Sequence, residues 1–127
     1  MIAASVDSEY SHLAWKKTPV EKGGIGNIQY PIVADITKGI SRAYDVLIDD
    51  SVALRGLFLI DKEGVIRHAV INDDPLGRSI DEALRMVDAL RSHDKHGNVC
   101  PADWKDGDEG MERTSEGVAN YLAKYAR

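Results

Sequence analysis

The strongest constraint on this chain is a change of hydrophobic period between residues 54 and 90. Leu54 to Ile60 and Val65 to Asn72 are dense apolar runs of strand type. Between them, Asp61-Lys62-Glu63-Gly64 reads as a hairpin turn ending in glycine. Pro75 and Gly77 then break the pattern. From there Ile80, Ala83, Leu84, Val87 and Leu90 recur at helical spacing, with Asp81, Glu82, Arg85, Asp88 and Arg91 mostly on the solvent side. Ser79 opens this helix, and Glu82 three residues on completes a capping box. Strands feeding an amphipathic helix suggest α/β layering, with helices packed on a mixed sheet.

The rest of the chain fits that class. Met1 to Val6 is an apolar run that reads as a buried strand. Two accounts of it stay open: a domain whose first strand lies at the terminus, or a chain that begins midway through a larger fold. Asp7 to Lys17 is helical, capped by Asp7 or Ser8, with Tyr10, Leu13 and Ala14 on one face. Pro19 stops it, and Gly23-Gly24-Ile25-Gly26-Asn27 is a flexible loop. Tyr30 to Ala34 reads as a strand and Asp35 to Tyr44 as a short helix. About four strands with several helices leave apolar faces poorly covered, which favours the midway start. After Ser92 the periodicity fades, and residues 93 to 117 read as a mobile arm rich in glycine and charge. A last helix is expected near Ser115 to Tyr125.

Composition narrows the function classes. The length of 127 residues suits one domain. Sixteen Lys and Arg against 21 Asp and Glu give a net charge of −5, which argues against a nucleic-acid binder with a basic stripe and against a polybasic membrane-surface protein. No apolar run approaches the roughly 18 residues of a membrane span, and no charged-then-apolar leader opens the sequence. One cysteine excludes a disulfide-stapled scaffold. A reducing, cytoplasmic compartment is therefore expected.

Few residues can carry chemistry. Cys100 lies in the arm, where an accessible thiol is more reactive than a buried one. Lys95, His96 and Lys105 would favour its thiolate, while Asp103, Asp106 and Asp108 would oppose it. The alternative is an incidental small hydrophobe. Arg55 interrupts the apolar strand Ala53 to Phe58. It either faces a site that holds an anion or thiolate, or points to water from an edge position. Arg78 just precedes the capping box and reads locally as a surface cation. His93 and His96 lack a third ligand for a metal, and His12 and His68 read as structural or solvated. Trp15 and Trp104 read as packing residues, and Gly23 to Gly26 lacks the features of a phosphate loop.

Taken together, several blocks carry a resemblance. They are Ser5-Val6-Asp7-Ser8 with His12-Leu13-Ala14-Trp15, Gly23-Gly24-Ile25-Gly26, Ala53 to Asp61, Gly77 to Glu82, and His96-Gly97-Asn98-Val99-Cys100-Pro101-Ala102-Asp103-Trp104. Over essentially its whole length the chain resembles the typical 2-Cys peroxiredoxins of the alkyl hydroperoxide reductase type, and its tail resembles the bacterial members. The resemblance implies an α/β, thioredoxin-like fold, with residues 1–92 as the C-terminal portion of that domain and 93–127 as an arm. It implies reduction of hydrogen peroxide and alkyl hydroperoxides by a peroxidatic and a resolving thiol, with no cofactor or metal. Cys100 matches the resolving thiol, Arg55 the arginine facing the peroxidatic thiolate, and Arg78 a second arginine that helps fix the site. Gly23 to Gly26 and Tyr121-Leu122 resemble features that slow local unfolding and make some members sensitive to overoxidation, although those members carry Phe where Leu122 stands. Implied partners are the peroxide, a thioredoxin-type or flavoprotein disulfide reductase, and a homodimer or ring.

One departure is large. The family's Phe-Val-Cys-Pro-type peroxidatic segment is absent and belongs before Met1, so the chain by itself is expected to be inactive. Two further readings compete: a non-catalytic module that assembles with a full-length peroxiredoxin, and a one-thiol sensor modified at Cys100 by glutathione.

Overall fold

The computed structural model describes residues 1–126. They divide into two compact units, one of residues 1–56 with 70–77, the other of residues 57–69 with 78 onward. In the first unit, β1 (Ala3–Ser5) runs parallel to β2 (Ile32–Ala34), with Ala4 opposite Val33. A parallel pair needs a crossover, and α1 (Glu9–Lys17) supplies it. Ser8 caps α1 by accepting from the Ser11 amide at 3.1 Å. The face expected to be apolar is not buried: Tyr10 and Leu13 are exposed, and the buried residue of this helix is His12. Met1 and Ile2, expected inside a buried strand, are exposed as well.

Asp35 ends β2 and, at 3% exposure, caps α2 (Gly39–Ala43). Its carboxylate accepts from the Ile40 amide at 3.0 Å, the Ser41 amide at 2.7 Å and the Ser41 hydroxyl at 2.8 Å. Burial opposes its ionisation, yet these hydrogen bonds outweigh burial and hold the carboxyl below its ordinary range. A small antiparallel pair follows, β3 (Leu47–Ile48) with β4 (Val52–Ala53), which the hydrophobic pattern does not signal. Its turn places Asp49 and Asp50 at positive φ. Val46 beside it is one of the buried hydrophobic residues.

Strands β5 (Arg55–Ile60) and β6 (Ile66–Asn72) form the expected hairpin. Asp61 builds its turn by accepting from the Glu63 and Val65 amides at 3.0 and 2.9 Å. The expectation of one mixed sheet is corrected: the described strands pair off in three two-stranded ladders. Each ladder joins two strands consecutive in sequence, across α1 or across a tight turn, and none gains a third member.

The second unit is built on α3 (Ile80–His96). Ser79 accepts from the Glu82 amide at 3.1 Å, one half of the expected capping box, while the Glu82 carboxylate oxygens accept from Arg85. The helix runs past Ser92 to His96 and ends at Gly97, whose φ of +72° suits a residue without a side chain. Its buried residue is Ala89, whereas Ile80 and Leu84 of the expected apolar stripe are exposed. Helix α4 (Ser115–Tyr125) lies where it was expected, capped by Thr114 through the Gly117 amide at 2.9 Å.

Candidate functional site

Cys100 is not in a loose segment. Its thiol lies 3.4 Å from the Ala89 carbonyl, the acceptor it donates to on α3. The chain around it is folded onto the same helix. His93 Nδ1 donates to the Asn98 carbonyl at 2.7 Å, and Arg85 Nη1 donates to the Trp104 carbonyl at 2.8 Å. Val99 and Met111 exchange two backbone hydrogen bonds, both of 2.8 Å. Gly110 lies close beside it, where a Cβ would come within 1.9 Å of the Asn98 side-chain nitrogen. Trp104 is the anchor, 4% exposed, with its indole N–H donating to the Asp108 carbonyl at 2.9 Å. Residues 93 to 117, read from the sequence as a mobile arm, are thus hydrogen-bonded onto α3 and onto one another. The contacts that order it are backbone carbonyls distant in sequence, which composition does not mark.

The electrostatics differ from expectation too. Burial pushes the Cys100 thiol above its ordinary range, against a hydrogen bond with Ser92 and the positive charge of Arg85. The cation that acts on the thiol is thus Arg85, which helical periodicity assigns to the solvent face. Glu82 holds that guanidinium in a fork, Nε to Oε2 at 2.6 Å and Nη2 to Oε1 at 2.8 Å. The hydrogen bonds from Arg85 hold Glu82 below the usual carboxylate range despite partial burial. The helical spacing of 82, 85, 89 and 92 puts these groups on one face, and that spacing could have signalled Arg85.

Arg55 opens β5, 46% exposed, with a partner in the turn after β6. Its Nε donates to the Asp74 carbonyl at 3.0 Å, and its Nη2 lies 2.9 Å from Asp74 Oδ1. This half-exposed arginine with a carboxylate partner is compatible with both readings, a face toward a bound anion or thiolate and a face toward water. Such an exposed pair adds about 0–1 kcal/mol, and its guanidinium stays accessible. Arg78 is exposed immediately before the Ser79 cap. Arg78 and Cys100 belong to the second unit, and Arg55 to the first.

Two polar clusters carry no signal in the sequence. Asp35 and its α2 cap is one. The other joins Ser5, Asp7 and His12, residue types that elsewhere make a nucleophilic site. Here the Ser5 hydroxyl donates to Asp7 Oδ2 at 2.9 Å. His12 Nε2 lies 2.6 Å from the Ser5 hydroxyl oxygen, with donor and acceptor set by the tautomer of the ring. His12 Nδ1 is buried without a hydrogen-bond partner among the described residues. The cluster ties β1 to α1. Among the described residues no group of three or more His, Cys, Asp or Glu is placed to hold a metal.

With this geometry in view, the comparisons define the class first. The structure superposes on a reduced 2-Cys peroxiredoxin of Plasmodium vivax with a TM-score of 0.94 at 54% identity, over 96% of this chain and 63% of that one. That likeness makes the fold the corresponding part of a thioredoxin-like α/β peroxiredoxin. Residues 1–69 match the AhpC/TSA family, and residues 89–124 match the C-terminal domain of 1-Cys peroxiredoxin. The chain belongs to the AhpC/TSA family of peroxidases, among the 2-Cys peroxiredoxins. It is 64% identical over 122 residues to alkyl hydroperoxide reductase C of Helicobacter pylori, and 46% identical over 126 residues to peroxiredoxin-2 of Rattus norvegicus. These alignments cover 96% and 98% of this chain but 62% and 64% of the two relatives.

Proposed function

We propose that this chain carries the resolving half of a two-thiol peroxidase. The observation that supports this reading most is the single cysteine, Cys100, seated in a folded arm with the His96 to Trp104 flanks of the resolving thiol. In the cycle, a peroxidatic thiolate attacks the O–O bond of hydrogen peroxide or an alkyl hydroperoxide. It becomes a sulfenic acid, and a proton completes the leaving water or alcohol. The Cys100 sulfur then attacks that sulfenic sulfur, forming a disulfide and releasing water. A thioredoxin-type or flavoprotein reductase returns two electrons by thiol–disulfide exchange. This chain has one cysteine, so the peroxidatic thiol comes from residues outside this sequence. Arg55 faces that thiolate and the peroxide oxygens, shared with Asp74, and Arg78 helps fix the site. Residues 1–92 act as the body and 93–127 as the arm, in a dimer or ring. A reducing, cytoplasmic compartment suits the free thiol.

The 127-residue chain is expected to show no peroxidase turnover with hydrogen peroxide and a thioredoxin system. A chain extended to include a peroxidatic cysteine is expected to turn over, and its Cys100→Ser form to accumulate a sulfenic acid that dimedone traps. Family-like consumption of peroxide by the 127-residue chain, lost in Cys100→Ser, overturns the proposal.

A second reading has its own support. Among the described residues β6 is paired with β5 alone, and Ile66 and Ile71 on it are exposed. An unpaired edge of this kind suits a non-catalytic module that assembles with a full-length peroxiredoxin.

A further inference from the structure

We propose that Arg85 is a positioning residue for Cys100: held by Glu82, it grips the Trp104 carbonyl and keeps the thiol seated on the Ala89 carbonyl. The inference rests on the reading of Cys100 as the resolving thiol. A guanidinium has five N–H donors in one plane, and Glu82 takes two of its nitrogens, Nε and Nη2, in a fork. That fixes the plane and leaves Nη1 aimed at the arm, where it meets the Trp104 carbonyl at 2.8 Å. Trp104 is the most deeply buried hydrophobic residue described, so the grip falls on the anchor of the arm. Cys100 stands four residues before it, and its own hydrogen bond to Ala89 is weak because a thiol is a poor donor. The thiol bond cannot hold the arm, whereas a charge-assisted bond to a partly desolvated arginine can. A resolving thiol must leave α3 to reach a second sulfur, so the Arg85 grip sets how long Cys100 stays docked.

Arg85 also places a positive charge near the thiol, and the two effects oppose each other when it is removed. Loss of the charge lowers the thiolate fraction and slows alkylation. Loss of the grip frees the arm and speeds it. Pseudo-first-order alkylation of Cys100 by iodoacetamide, followed against pH in the 127-residue chain, separates them. Arg85→Ala is expected to react on the order of tenfold faster. Arg85→Lys keeps the charge without the fork and is expected to fall between Arg85→Ala and the parent. Glu82→Gln keeps the arginine but loosens its orientation, and is expected to react a few-fold faster (~3-fold) with a thiol titration no higher than the parent's. An Arg85→Ala rate equal to or below the parent's overturns the proposal. Should Arg85→Ala react at the rate of the urea-unfolded chain, Glu82→Gln decides alone, and an unchanged rate there overturns it. The assay needs neither peroxide nor a second thiol, so it can fail while the resolving role stands.

Discussion

At the scale of single residues, the state of the Cys100 thiol is coupled to the position of its arm. Burial raises its proton affinity in the docked arm, against the opposing pull of Ser92 and Arg85. An acid whose pKa is higher in the folded state keeps more protons there than when released. Its contribution to docking is therefore complete below the free-thiol value of about 8.5 and is lost as pH rises through the docked value. The arm is expected to loosen in alkali. Trp104 reports this, being 4% exposed when docked, once Trp15 is replaced by Phe to remove its emission. On raising the pH from 7 to 10, the Trp104 emission of Trp15→Phe should shift red at lower pH than that of Trp15→Phe with Cys100→Ala. Superimposable profiles would show that the thiol has no part in docking. The acidic side is governed by other groups. Asp35, Asp61, Glu82 and Glu109 all sit below their ordinary range. What they contribute is present above about pH 4 and is lost as pH falls through their folded values.

At the scale of elements, α4 shows how a short helix is held by its two ends. Thr114 caps its start, and Lys124 pairs with Glu109 near its end, where the Tyr125 hydroxyl also donates to Glu109 at 2.8 Å. Thr114→Ala removes a cap worth about 1 kcal/mol, so the amides of Gly117 and Val118 should exchange about fivefold faster. Thr114→Ser keeps the acceptor and should exchange at the parent rate; equal acceleration in both would mean the hydroxyl does not cap. Elements whose signals are local in sequence were legible: the Ser79 cap of α3, the Asp61 turn and the extent of α4. The β3–β4 pair was not, because its turn depends on Asp49 and Asp50 adopting positive φ, which few residues do. Nor was the docking of the arm, whose bonds span 5 to 19 residues and end on backbone carbonyls that every residue carries. For the same reason Cys100, Arg55 and Arg78 could be picked out by their flanks, whereas Arg85 looked like one more charge on the solvent face of a helix.

At the scale of the whole molecule, the question is what covers its apolar surface. The chain exposes 9475 Å². A folded monomer of 14.0 kDa is expected to expose about 6,700 Å². The excess of roughly 2,800 Å² is more than a standard interface buries, about 1,200–2,000 Å². It includes Ile60, Val65, Ile66 and Ile71 along the β5–β6 hairpin, each more than 40% exposed. A net charge of −5 keeps such a surface in solution only weakly, because at physiological salt charge repulsion is screened beyond about 8 Å. Cover by further chain or by association resolves it physically, and which of the two applies distinguishes the two functional readings. If the chain is a module for a full-length relative, it should co-migrate with one on size exclusion after the two are mixed. A charged Ile66→Lys substitution on β6 should then weaken that co-migration without changing the behaviour of the relative alone. If the chain instead associates only with itself, the mixture should elute as the sum of the separate profiles, and the module reading fails. The peroxidase reading survives that result, because it asks for a peroxidatic thiol to be joined to this chain rather than for a surface to bind one.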